Sequence, residues 1–350
     1  PHFSSHNLPM KIMICTSRIR PDGLQTVFPP YGSMAILQAL VAAGYKDTSL
    51  FDIDGLRPPY REIVAHFQRE RPDVVGISGV VSTAYKFIKR LIATLHEILP
   101  ETTVIVGGNV AANSEILLRV AKADYCVIGE GERTIVELAN YLHTKGGRSR
   151  RDDYQALRGI KGLTFIDEHD IVALTGYQPD LPEDQLYDLD YDILERGTDI
   201  NRYIIEPWYY VGFAHDERSF EPHRKGKKLA TLITTKGCVA RCTFCHRWDK
   251  GIRFVPVDLV IERIKRLVPQ VERRVPGEDR AAGYPLAGRR GADPDGGPGS
   301  AEADARGRLR QRAVRDGERQ PADAGRDGEE PERAAQHQRR EVDVRSRPLY

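Results

Sequence analysis

Between residues 11 and 142, short apolar runs alternate with longer stretches in which apolar residues recur every three or four positions. The short runs predict strands at Lys11–Thr16, Ser49–Ile53, Asp73–Ser78, Thr103–Val106 and Tyr125–Ile128. The periodic stretches predict helices. These are Ser33–Ala43, ended by Gly44, then Tyr60–Glu70, Thr83–Leu99, Ser114–Val120 and Glu132–Leu142. In the third of them Phe87, Ile88, Leu91, Ile92, Leu95 and Leu99 share a face. Strands that are apolar along their whole length belong to a parallel sheet covered on both faces. The expected fold class is therefore α/β, with a five-stranded parallel sheet over residues 11–145 and a disordered start over 1–10.

Beyond this domain the pattern loosens. Arg148–Asp153 is a charged link, and Gly162–Ile166 with Ile171–Leu174 predicts a β-hairpin around Asp167-Glu168-His169-Asp170. An acidic, proline-marked run, Pro179–Asp192, and an aromatic stretch, Tyr203–Phe213, complete a connector over 146–225. Leu229–Thr235 predicts a strand and Val257–Val268 a helix with Val260, Ile261, Ile264 and Leu267 on one face. Residues 226–268 form a second unit.

Small and polar residues collect where the first domain's strands end. Ser78-Gly79 follows the third strand, Gly107-Gly108-Asn109 the fourth, and Gly129-Glu130-Gly131-Glu132 the fifth. Open α/β sheets bind ligands beyond these carboxyl ends, and glycines there allow close approach to the backbone. Each could equally be a tight turn; the three together predict a ligand site.

The predicted strand at Leu229–Thr235 delivers Gly237-Cys238-Val239-Ala240-Arg241-Cys242-Thr243-Phe244-Cys245-His246. Three cysteines at this spacing can share one metal centre, and three thiolates on a [4Fe–4S] cluster leave one iron free. A zinc site using Cys238, Cys242, Cys245 and His246 is the alternative, although the adjacency of Cys245 and His246 suits one tetrahedral ion poorly. The loop resembles that of the radical S-adenosylmethionine (SAM) superfamily, through Cys238, Cys242, Cys245, Phe244 and Gly237. The resemblance implies a [4Fe–4S] cluster whose open iron chelates SAM, reductive cleavage to a deoxyadenosyl radical, and an external electron donor. It also implies that 226–268 begins a partial (β/α)6 barrel. The Gly-Gly-Glu that holds the SAM amino group in that family is missing after Cys245, so this chain is expected to lack most of the SAM pocket and to be inactive.

Residues 11–142 resemble the cobalamin-binding, Rossmann-like domain that precedes some radical SAM domains. The resemblance rests on Pro29-Pro30-Tyr31-Gly32, Val106-Gly107-Gly108 and Ile128-Gly129-Glu130-Gly131-Glu132. It implies a cofactor pocket involving Ser78, Gly107 and Gly108, with Glu130 and Gly131 beside it. Many such domains carry Asp-x-His-x-x-Gly after the first strand, with a histidine on cobalt. Here no histidine lies between Ser17 and Gly32, so any cobalamin has no histidine ligand from that loop. The implied function is hydrogen abstraction from an unactivated carbon of a small-molecule substrate, followed by methyl transfer from cobalamin or by rearrangement. The alternatives are a non-enzymatic corrinoid-binding or degenerate α/β module and a zinc-binding module.

Composition adjusts this picture in three places. Of five cysteines, Cys15 and Cys126 lie in apolar runs and are expected to be buried thiols, which suits a reducing cytoplasm. The formal net charge is +2, with no basic patch before the tail, which argues against nucleic acid, and no apolar run is long enough for a membrane span. Residues 269–350 contain 17 Arg but no Lys, Ile, Phe, Thr, Asn, Cys, Met or Trp. That break suits a GC-rich gene read out of frame after about residue 268, or a natural tail of disordered composition. In either case 269–350 is expected to be disordered.

Overall fold

The computed structural model describes residues 9–20, 26–147, 153–182, 189–205, 228–240, 242 and 251–273. The readings made for 148–152, 183–188, Trp208 to Phe213, Phe244, Cys245, His246 and the chain from 274 onward lie outside the described residues.

Five strands alternate with five longer helices through the first domain, and a four-residue helix, Ile53–Leu56, begins at Ile53, the last residue of the expected second strand. The strands and longer helices are β1 (Ile12–Thr16), α1 (Tyr31–Ala42), β2 (Thr48–Phe51), α2 (Tyr60–Glu70), β3 (Val74–Ser78), α3 (Tyr85–Ile98), β4 (Thr103–Gly107), α4 (Ser114–Arg119), β5 (Tyr125–Val127) and α5 (Gly131–Thr144). The parallel strands lie in the order β2-β1-β3-β4-β5, with Ile14 of β1 opposite both Leu50 of β2 and Gly76 of β3. The order reverses direction between β1 and β3, and such a switch point opens a crevice at the carboxyl edge.

Alternation along each strand divides the core in two. Ile12, Ile14, Val74, Ile105 and Val127 pack under α1 and α5, against Leu37, Leu40, Leu138 and Leu142. Met13, Cys15, Val75, Ile77, Val104, Val106 and Cys126 pack against α2, α3 and α4 through Ile63, Phe67, Ile88, Leu91, Leu95 and Leu117. Met10, read as part of the disordered start, is buried in the first of these cores, two residues before β1 begins at Ile12.

The hairpin read as part of the connector belongs to the sheet. After a short helix, α6 (Tyr154–Gly159), β6 (Leu163–Ile166) and β7 (Val172–Leu174) extend the sheet to seven strands, β6 running antiparallel to β5. Pairing there satisfies the outer edge of β5, which would otherwise present unbonded backbone groups, and it buries Leu163 and Phe165 completely.

The stretch from Leu229 to Arg273 departs more from expectation. Leu229–Thr235 is not a continuous strand. Leu229 makes an isolated bridge to Ile205, and the following carbonyls are held by side chains. Tyr31 and Tyr191 both donate to the Thr231 carbonyl, and Arg263 donates to that of Ile233 at 3.0 Å. With those acceptors engaged, ladder pairing begins only at β8 (Thr235–Cys238), antiparallel to β9 (Gly251–Phe254). Helix α7 spans Val257–Arg273, past the composition break, with Pro269 inside it. It buries Arg263 and Leu267, while Ile261 and Ile264 of the predicted face remain 43% exposed. No helix among the described residues is long and apolar enough to cross a membrane.

Candidate cofactor cavity and cysteine hairpin

A cavity of about 280 Å³ opens at the carboxyl edge of the sheet, at the switch point. Its walls are apolar, including Ile14, Ile36, Ile105, Val127 and Ile135, and its floor is made by strand ends. Ser78, Gly107, Gly108, Glu130 and Gly131, the five residues singled out in the sequence, all line it. They come together because β3, β4 and β5 are in parallel register, so their last residues reach the same level. Ser78 stands opposite Gly107.

The glycines do two different jobs. Gly108 sits at φ +82°, and a Cβ there would lie 2.5 Å from the carbonyl oxygen of Gly79. The Gly79 N–H donates to the Gly107 carbonyl at 2.8 Å and its own carbonyl accepts from Val110 at 3.0 Å, so the two turns are tied back to back. Gly107 and Gly32, by contrast, face open space. A Cβ on Gly107 meets nothing nearer than the Val127 carbonyl at 4.0 Å, and one on Gly32 meets nothing within 4 Å. Side chains at these positions would occupy the cavity itself. That glycine cradle, in an apolar cavity, fits the flat aromatic tail of a corrinoid. The residues that would hold it are Ser78, Gly107, Gly108 and the backbone of Gly131.

Glu130 has a different position from a free cofactor contact. Its carboxylate is buried and accepts from the Leu181 N–H at 2.6 Å, from the Arg253 guanidinium, and from the Lys236 ammonium at 2.9 Å. Arg253 also donates to the Leu181 carbonyl at 2.7 Å, which closes a ring between the first domain, the connector and the hairpin. Burial opposes ionisation of Glu130, but hydrogen bonds from Arg253, Leu181 and Lys236 outweigh it and hold the carboxyl below its usual range.

Sequence reasoning missed several residues of this site. Thr235 and Lys236, just before the first cysteine, line the cavity together with Ile233. Lys236 also reaches Glu132 at 3.3 Å. Ser33 lines the cavity and its buried Oγ has no hydrogen-bond partner. The apolar period of α1 hid Ser33, and only its place in the first helical turn could have raised it. Lys236 could have been raised by its adjacency to the cysteine loop.

The described cysteines fall into two chemical classes. Cys15 and Cys126 are buried in the sheet; burial pushes both thiols up to about 12, so neither is available as a thiolate ligand. Cys238 ends β8, half-buried, with its sulfur accepting from the Ala240 N–H at 3.4 Å, and Cys242, four residues after Cys238, is exposed. An accessible sulfur that accepts from backbone N–H fits a thiolate donor of the kind that iron–sulfur clusters use. Cys245 lies outside the described residues, and no group of three His, Cys, Asp or Glu side chains forms a metal site among those that are described.

Comparisons with known proteins bear on both halves. The profile of the B12 binding domain matches residues 23–139. The cytidylyl-2-hydroxyethylphosphonate methyltransferase of Streptomyces wedmorensis is 25% identical over 278 residues, covering 75% of this chain and 49% of that protein. The anaerobic magnesium-protoporphyrin IX monomethyl ester cyclase of Synechocystis is 26% identical over 222 residues, 62% of this chain and 38% of that one. The chain thus spans about half the length of these relatives, or less. In fold it is similar to the cobalamin-dependent S-adenosylmethionine radical enzyme OxsB. The apo structure superposes with a TM-score of 0.52 at 15% identity, over 76% of this chain and 33% of that one. The form with aqua-cobalamin and S-adenosylmethionine bound gives 0.50 at 16% identity, over 74% and 32%. Residues 23–139 thus match the B12 binding domain, and the chain is similar in fold to part of OxsB.

Proposed function

We propose that this chain binds cobalamin in the cavity at the sheet's carboxyl edge and a [4Fe–4S] cluster on Cys238, Cys242 and Cys245. These are the cofactors of a radical SAM methyltransferase, or of a related radical enzyme, that acts on a small-molecule substrate; this chain, with no Gly-Gly-Glu after Cys245, is expected to be inactive. The observation that carries this reading is the shared cavity wall: the glycine-lined strand ends and the two residues leading into the cysteine hairpin border the same space. The names of the two relatives, a methyltransferase and a cyclase, match the two outcomes, methyl transfer and radical ring closure. When bound, the cluster would supply, from an external donor, the electron that cleaves SAM, and the corrinoid would supply a methyl carrier.

The chain's own residues bind, orient and exclude water. Ile36, Ile105 and Ile135 give the cavity dry walls, Gly32 and Gly107 leave its volume open, and Ser78 adds a polar contact at its floor. Cys238 and Cys242 present accessible sulfurs at the end of β8. Orientation and water exclusion are the protein's share of cofactor chemistry.

The test is anaerobic reconstitution of the full chain with iron, sulfide and hydroxocobalamin. The expected result is about four iron per chain with charge-transfer absorbance, together with one corrinoid. Cys242→Ala should lose the iron and keep the corrinoid. Normal iron and sulfide in that variant would refute the ligand assignment. Zinc at one per chain without iron-derived absorbance would replace the cluster with a zinc site.

A further inference from the structure

Glu130 lies in the cofactor-lined turn, yet its carboxylate faces away from any free-ligand role. One oxygen accepts from Arg253 of β9 and Lys236 of β8, and the other accepts from the Leu181 N–H of the connector. Arg253 in turn holds the Leu181 carbonyl. One buried carboxylate therefore fixes the position of both strands that carry the cysteine loop. The same three-residue stretch, Glu130 to Glu132, and the same Lys236 line the cavity. Whatever occupies the cavity touches a wall whose two sides are joined by this clamp.

We infer that Glu130 is a positioning residue that couples the two cofactor sites: the clamp makes corrinoid binding and cluster assembly mutually favourable. This rests on the function proposed above. Order imposed on the hairpin by a cluster on Cys238 and Cys242 passes through Lys236 and Arg253 to the Glu130 turn, and pre-forms one wall of the cavity. Linkage makes the effect reciprocal, so a corrinoid in the cavity stabilises the hairpin by the same factor. A glutamine cannot replace the carboxylate here. All three partners donate, so the amide NH₂ must oppose a donor in either orientation.

The experiment measures the dissociation constant of hydroxocobalamin by visible absorbance, on cluster-free and cluster-loaded full-length protein. In the wild type the cluster-loaded form is expected to bind about fivefold or more tightly, the lower end of common coupling. In Glu130→Gln the ratio falls towards one. In Arg253→Met, which removes the clamp without touching a cavity-lining residue, it falls likewise. That second variant keeps the test decisive if the first does not fold. Hydrogen exchange in Thr235–Cys238 and Gly251–Phe254 gives a readout independent of activity: corrinoid should slow it in the wild type and not in Arg253→Met. Equal affinities in the two wild-type forms, both binding corrinoid, would overturn the coupling and leave the proposed function standing. A wild type that takes up no corrinoid or no cluster would overturn both.

Discussion

At the scale of single residues, two adjacent glycines separate architecture from occupancy. Gly108 needs its left-handed backbone and cannot carry a Cβ against the Gly79 carbonyl. Gly108→Ala should therefore cost about 2 kcal/mol or more of stability, read as a fall in the urea midpoint. Gly107 has an ordinary backbone angle and open space in front of it. Gly107→Leu should leave the midpoint nearly unchanged and weaken hydroxocobalamin binding by at least about tenfold, since the added side chain would fill the cavity. If Gly107→Leu binds corrinoid like the wild type, the cavity is not the binding site. This pair was legible as a glycine-rich strand end, because close backbone approach demands glycine whatever the context. The roles within the pair were not legible, since φ and the position of the Gly79 carbonyl depend on how two turns meet. Glu130 was legible only as a site residue. Its partners Lys236 and Arg253 lie more than a hundred positions away, and no local pattern announces a contact at that separation.

At the scale of elements, every βα unit of the first domain could be read from apolar period and turn residues, because each of those strands is apolar on both faces. The hairpin was read as a hairpin, but its place in the sheet was not. Period-two patterning shows that a strand exists and says nothing of which edge it joins. That placement has a consequence for stability. Phe165 of β6 is buried completely and packs in the same core as Leu138 and Leu142 of α5. Phe165→Ala should cost about 3–5 kcal/mol, which a mobile connector would not produce. Differential scanning calorimetry should show the whole first domain melting earlier, in a single transition. A separate low-temperature transition with the main one unmoved would mean that β6 and β7 are not integral to the sheet. The expected strand at Leu229–Thr235 failed for the complementary reason. Its apolar residues suit a strand, but side chains from α1, α7 and the connector claim its carbonyls at Thr231 and Ile233 before a neighbouring strand can.

At the scale of the whole molecule, the hairpin that bears Cys238 meets the first domain at the buried Glu130 carboxylate, which pairs with Lys236 of β8 and Arg253 of β9. This makes the attachment sensitive to acid in a defined direction. The folded-state pKa of Glu130 is depressed, so its stabilising contribution is fully present above the ordinary glutamate value of about 4.3. It is lost as pH falls through the lower folded value. Lys236 and Arg253 both face this carboxylate, so protonating Glu130 removes the acceptor charge that the two of them share. Glu132, the other carboxylate on Lys236, cannot take over both contacts, because Arg253 is tied to the Leu181 side of the ring. Hydrogen exchange, corrected for its intrinsic pH dependence, should therefore show Thr235–Cys238 and Gly251–Phe254 losing protection as the pH falls below the ordinary glutamate range, while β1 and β3 in the sheet centre remain protected. In Glu130→Gln the hairpin should exchange fast at neutral pH and show little further change on acidification. A wild-type hairpin that opens only together with the central strands would mean that it is held by the core as a whole and not by this one carboxylate.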